Sequence, residues 1–140
     1  EFTHQRGVLQ AGPLAYNREL TYPCDDVDRY RGYHELWGNT NSYGGVTRID
    51  RGILEGWLGG AVEFAKKHPE KILWNGEFGV IRHAPRASRV AYLRDVMAIC
   101  RKNGISYCLW NYLSTPNDGN RFSLVDDETR EWLLPELLGK

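Results

Sequence analysis

The sequence predicts an α/β fold built from parallel βα units, and three observations carry that expectation. Over residues 47–140, helical and strand patterns alternate as helix, strand, helix, strand, helix with tight connections. Each strand pattern runs into a segment of Gly, Asn and aromatic residues: Asn75-Gly76-Glu77-Phe78-Gly79 after the first, Trp110-Asn111-Tyr112 at the second. Residues 1–46, by contrast, have little periodicity and many turn formers, among them Gly12-Pro13, Tyr22-Pro23, Asp25-Asp26, Gly38-Asn39 and Gly44-Gly45. The 140 residues read as a single domain, a loop-rich segment over 1–46 followed by βα units over 47–140.

The elements follow in order. Asp50 is placed to cap a helix from about Arg51 to His68, whose apolar face is Leu54, Trp57, Leu58, Ala61, Val62 and Ala65. Pro69 stops it, and Ile72-Leu73-Trp74 is a short buried-strand pattern. A loop with Pro85 leads to a second helix that Ser88 can cap, with Val90, Leu93, Val96, Met97 and Cys100 inward and Gly104 as its stop. A second strand runs from Ile105 to Trp110, and Asn117 to Asn120 form a turn. A last helix begins near Asp127 and packs Leu133, Leu134, Leu137 and Leu138, with Pro135 kinking or restarting it. The aromatics of the first segment, Tyr16, Tyr22, Tyr30, Tyr33, Trp37 and Tyr43, argue against disorder there.

Composition narrows the function. Eighteen basic and eighteen acidic residues cancel, so no field of one sign is available for nucleic acid or an anionic membrane surface. No apolar run approaches the roughly 20 residues of a membrane span, and no basic-then-apolar leader opens the chain. The chain starts at Glu1 and not at Met, so two expectations stand: a start further upstream, or Glu1-Phe2 as a cloning remnant. Cys24, Cys100 and Cys108 have no metal-ligand spacing, and Cys100 and Cys108 read as small core residues. His34, His68 and His83 show no pairing for a metal or a base, and His68 suits a helix C-terminus. No zinc-protease, phosphate-loop or calcium-loop motif occurs, so no metal and no cofactor are expected. Five Trp and eight Tyr, many beside Gly, Asn and Asp, match the apolar faces and hydroxyl edges of sugars; a core with ordinary surface Tyr is the plainer alternative.

In parallel βα structures ligands bind at the C-terminal ends of strands. Glu77 holds that place after the first strand and Trp110 after the second, and neighbouring strands lie only about 4.8 Å apart. Gly76 and Gly79 are expected to permit unusual backbone angles around Glu77 and close approach of a ligand. A carboxylate beside an aromatic platform is the minimum needed to stabilise and trap an oxocarbenium-like sugar. The alternative is a Glu77 that pairs with Arg82 or caps a loop.

Trp74-Asn75-Gly76-Glu77-Phe78-Gly79-Val80 resembles the nucleophile strand of glycoside hydrolase family 5, the endoglucanase-like (β/α)8 enzymes. Phe2-Thr3-His4-Gln5 and Tyr22-Pro23 resemble the segment after the sixth barrel strand. Arg82-His83-Ala84-Pro85, Ser88-Arg89 and Tyr92-Leu93-Arg94-Asp95 resemble the loop and helix after the nucleophile, and Gly104-Ile105 through Trp110-Asn111-Tyr112 the eighth strand. The resemblance implies a partial TIM barrel, the C-terminal β/α units from about strand six to eight, following a long irregular segment. It implies Glu77 as nucleophile of a retaining β-glycosidase acting on β-linked glucan or a related glycoside, and Trp110 as the floor under the reacting sugar. His4 and Gln5 would lie on the site's rim or brace its loop. Trp37 and Tyr43 would make outer sugar contacts or pack loops. A secreted or periplasmic location would fit the family.

One departure qualifies the match. Retaining hydrolysis needs two carboxyl groups about 5–5.5 Å apart, and the family carries its acid in an Asn-Glu motif that does not occur here. Glu35, Asp25, Asp26 and Asp118 are the loop carboxylates that would have to substitute. A whole barrel takes about 250 residues, so the earlier strands are expected elsewhere. The chain is then a piece of a longer enzyme, the partner of a separate N-terminal piece, or a self-associating unit. A carbohydrate-binding fragment without turnover, and an assembling half-barrel that binds no sugar, are the non-enzymatic alternatives.

Overall fold

A computed structural model describes residues 21–28, 45–82, 84–115 and 121–138. Their regular elements are helix α1 (Arg51–Lys67), strand β1 (Trp74–Phe78), helix α2 (Arg86–Lys102), strand β2 (Ser106–Leu109) and a final 3₁₀ helix (Pro135–Leu138). β1 and β2 are parallel neighbours with α2 as their crossover. The α/β class and the βα connectivity are therefore as the sequence predicts.

α1 starts where Asp50 accepts the Gly52 N–H at 2.8 Å, and Lys66 and Lys67 sit in its last turn, where the helix dipole favours them. His68 ends it, donating its backbone N–H to the Phe64 carbonyl at 3.0 Å. The buried side is narrower than predicted. Leu54 is buried and Leu58, Val62 and Ala65 are half-buried, whereas Trp57 and Ala61 are exposed. α1 packs against α2, with Leu54 in the core and Ile53, Leu58 and Val62 packed against it.

α2 begins two residues before the expected cap. Pro85 precedes its first turn, where the missing N–H costs nothing, and no side chain caps it. Ser88 is instead buried inside the helix, and its hydroxyl accepts the Tyr22 backbone N–H at 2.9 Å. The predicted inner face holds: Val90, Leu93, Val96, Met97 and Cys100 are all buried. Gly104 closes the helix in the left-handed region at φ +66, with Ile105 N–H reaching the Cys100 carbonyl at 2.9 Å.

The first strand lies later than its apolar run. Ile72 is 91% exposed and Trp74 is exposed too, while the ladder is built on Trp74–Phe78. Pairing with β2, and not the local apolar pattern, sets the strand. Cys108, read as a core residue, is exposed, whereas Cys100 is fully buried; all three thiols are free.

The C-terminal helix predicted from Asp127 does not form. Asp126 accepts the N–H groups of Glu128 and Thr129, both at 3.0 Å, which holds a turn in place of a helix. Arg130 adopts φ +61, Asp126 and Leu124 bond across to Glu131 and Leu133 at 2.8 Å each, and Val125 bridges Trp132 antiparallel. Leu134 is then fully buried, and Pro135 restarts the chain as the 3₁₀ turn. Arg86 ties that turn to α2: its Nη2 donates to both carboxylate oxygens of Glu136, at 2.8 and 2.9 Å. No helix among the described residues is long and apolar enough to cross a membrane. The turn expected at 117–120 lies outside the described residues.

Candidate active site

Which side of the sheet Glu77 takes is decided by register. Asn75 pairs with Tyr107 and Phe78 with Leu109, and all four are half-buried. They face α2: the Asn75 amide is 4.0 Å from Cys100 Sγ, the Arg101 guanidinium stands 5.8 Å from the Tyr107 ring, and the Phe78 and Tyr107 rings are 5.8 Å apart. Between these pairs β1 has two residues, Gly76 and Glu77, where β2 has one, Cys108. In a regular strand Glu77 would share the side of Asn75. The extra residue of this bulge breaks that phase, so Gly76 and Glu77 both come out exposed, on the side of exposed Cys108. Trp110, following half-buried Leu109, emerges on the exposed side as well and keeps 47% of its surface in water.

The two strand ends are locked together by backbone. Trp110 N–H donates to the Phe78 carbonyl at 2.7 Å. A Cβ placed on Gly79 would stand 1.9 Å from the Trp110 carbonyl oxygen and 3.0 Å from Phe122 Cδ1. That corrects the expected role of the glycines: neither Gly76 nor Gly79 has a positive φ, and nothing lies within 4 Å of a Cβ on Gly76. Gly79 is required by the approach of the neighbouring chain, not by unusual backbone angles.

After Trp110 comes a cis peptide to Asn111. The Asn111 carbonyl accepts Leu124 N–H at 3.0 Å, and its side-chain oxygen accepts the Ser114 hydroxyl at 3.1 Å. Buried Ser123 Oγ in turn takes Ser114 N–H at 2.8 Å. These bonds fix the segment after β2. Tyr112 lies edge-on to Trp132 with ring centroids 6.3 Å apart. The sequence pattern places Tyr112 at the strand end but does not single out Trp132; the β-forming Val125 and Trp132 either side of an Asp-rich turn were the available signal.

Charge near the site is organised without Glu77. Arg82, its expected competitor partner, instead meets Asp126 at 3.9 Å and Asp127 at 3.7 Å, and Arg121 meets Asp127 at 3.6 Å. Backbone N–H groups of Thr129 and Glu128, with Arg82 adding to them, hold the Asp126 carboxyl below the usual carboxylate range. Glu77 makes no hydrogen bond or ion pair with the described residues. Asp25 is taken by Arg48 at 3.2 Å. His4, Gln5, Trp37 and Tyr43, the remaining predicted contacts, lie outside the described residues, as do His34, Glu35, His83 and Asp118.

No protein-family model matches the chain. Endoglucanase C of Acetivibrio thermocellus is 32% identical over 116 residues, 79% of this chain and 32% of that protein. Endoglucanase C307 of a Clostridium species (strain F1) gives the same figures. The chain thus spans 32% of the length of the curated relatives it matches. Among solved structures, an endoglucanase superposes with a TM-score of 0.53 at 22% identity, over 64% of this chain and 28% of that one. The cellulose synthase subunit Z of Clostridioides difficile does so at 0.52 and 24% identity, over 63% and 27%. At those identities the structures speak for the fold, while the sequence relatives speak for the kind of protein. Taken together, the chain is similar in sequence to part of these endoglucanases and in fold to part of the barrel of family 5 glycoside hydrolases.

Proposed function

We propose that this chain is the nucleophile-bearing part, about strands six to eight, of a retaining β-glycosidase that cleaves β-linked glucan. Glu77 attacks the anomeric carbon and forms the glycosyl-enzyme, and the Trp110 indole stacks under the same ring. The observation that supports this reading is the bulge, which leaves Glu77 exposed at the end of the strand neighbouring the one that runs into Trp110. Its free carboxylate and the half-exposed indole match what an oxocarbenium-like sugar needs. The proton donor comes from outside the described residues. Asp126 is a poor candidate, because its donors favour the ionised form.

The remaining barrel strands belong to the same proposal. Each strand of the two-stranded sheet has a neighbour on one side only among the described residues, and unpaired edges recruit further strands. Those strands come from the rest of the barrel or from a second copy of the chain. Light scattering tests this point: a stable monomer in the absence of any partner would count against it. The chemistry is tested by labelling with an activated 2-fluoro glycoside when the other barrel strands are supplied. Mass spectrometry should find the sugar on the peptide containing Glu77 and none on a Glu77→Gln variant. A label elsewhere, or no label, removes the assignment.

A further inference from the structure

We infer that Tyr112 and Trp132 form an outer subsite that stacks a second sugar of a β-linked gluco-oligosaccharide, beyond the one over Trp110. The inference rests on the proposed glycan site and extends it along the chain of the ligand. Tyr112 follows Trp110 by two residues, so their Cα atoms are at most about 7 Å apart. It remains 56% exposed, and Trp132 41%, although the two rings touch edge to face. Exposed aromatic rings therefore follow one another at Trp110, Tyr112 and Trp132, the last two with their planes inclined at 78°.

Both rings stand on fixed supports. Tyr112 belongs to the segment whose carbonyls at Asn111 and Tyr112 accept Leu124 N–H at 3.0 and 3.3 Å. Trp132 is held on the opposite limb of the hairpin by its bridge to Val125 and by the Leu133 to Leu124 bond. Cross-strand partners sit side by side; Val125 is fully buried, while Trp132 opposite it keeps 41% of its surface in solvent. A ring oriented this rigidly loses little entropy when a pyranose stacks on it. Of the flanking polar residues, Asp126 and Asp127 are engaged by backbone N–H groups, Arg82 and Arg121, which leaves the Glu131 carboxylate as the nearest acceptor in sequence for a hydroxyl edge.

The test is calorimetric titration of the whole chain with cellotriose and cellohexaose. Trp132→Leu keeps an apolar side chain opposite Val125 but no flat ring. It should weaken cellohexaose binding about tenfold and leave cellotriose unchanged. Trp132→Phe, which restores a flat ring, should regain most of the loss. Trp110→Ala should weaken both ligands. If Trp132→Leu leaves cellohexaose unchanged, or weakens both ligands equally, while Trp110→Ala weakens both, the outer subsite is refuted and the glycan site stands. If the unmodified chain binds neither ligand, or Trp110→Ala alters neither, the glycan-site reading falls and this inference falls with it.

Discussion

Gly79→Ala is the substitution with the most determined outcome, because the obstacle is backbone. The new Cβ would start 1.9 Å from the Trp110 carbonyl oxygen, and real contacts of this kind do not fall below 3.0 Å. The two chains must separate by about 1 Å, a displacement that costs on the order of a hundredfold in rate when it moves a group positioning substrate. Neither side can yield cheaply. Trp110 is tied to Phe78 at 2.7 Å on one side of its own residue, and the next carbonyl, Asn111, is tied to Leu124 at 3.0 Å. Phe122 Cδ1 blocks a second direction at 3.0 Å. Overpacking of this type costs about 1–3 kcal/mol.

Gly76→Ala provides the control within the same motif. Nothing lies within 4 Å of its added methyl and its φ is not positive, so its stability should match or slightly exceed that of the unmodified chain. Urea unfolding of both variants, with Trp fluorescence recording the surroundings of Trp110, checks the pair. Equal stability and an unshifted Trp signal in Gly79→Ala would refute the claim that Gly79 exists to admit the Trp110 backbone.

Further predictions concern the groups that support the site. Tyr22→Phe removes a 2.6 Å bond from a buried phenol to Asp95 and should destabilise by about 1.5–3 kcal/mol in urea unfolding. Burial first, then Asp95, raises the Tyr22 pKa, so the unfolded chain gives up this proton before the folded one as pH rises. Stability should be whole below about pH 10 and fall above it, and Tyr22→Phe should flatten that alkaline limb. Asp126 has the opposite sign: its folded pKa is depressed, so its contribution is present above about pH 3.9, its unfolded value, and is lost as pH falls through the lower folded one. Asp126→Ala should fray the Trp132 hairpin at neutral pH and remove that acid dependence, visible as altered Trp132 fluorescence; an unchanged signal would separate the hairpin from its Asp cap.

Much of this fold is legible in the sequence wherever one local rule decides. Asp50 caps α1, Leu93, Val96 and Cys100 keep the period of α2, and Gly104 takes the positive φ its position demands. Reading fails where a partner decides. Ile72-Leu73-Trp74 has the composition of a buried strand, yet β2 pairs with Trp74–Phe78, a stretch poor in β-formers. The bulge at Gly76-Glu77 is a difference in length between two strands, which neither strand's own pattern contains. At the C-terminus, Leu133, Leu134, Leu137 and Leu138 have helical spacing, but the Asp126 side chain captures the N–H groups of Glu128 and Thr129, and Pro135 interrupts the next turn. Glu77 and Trp110 are legible as strand-end residues; that they emerge on one side of the sheet comes only from the register.

The same register constrains the second carboxylate. Neighbouring strands lie about 4.8 Å apart, so an acid on β2 would meet the 5–5.5 Å spacing of a retaining pair almost automatically. β2 and the residues after it offer Ser106 to Leu109, Trp110 and Asn111, with no carboxyl among them. Under the proposed function, the strand beside Glu77 contributes stacking only, and protonation comes from elsewhere around the barrel. The pH–rate profile of the enzyme with its remaining strands should then be bell-shaped, its alkaline limb belonging to that distant acid. Replacing Asp25, Asp26, Glu35, Asp118, Asp126 or Asp127 singly by the amide should leave the alkaline limb where it is. A shift of that limb in any one of these variants would place the acid within this chain and overturn the division of labour between the two strands.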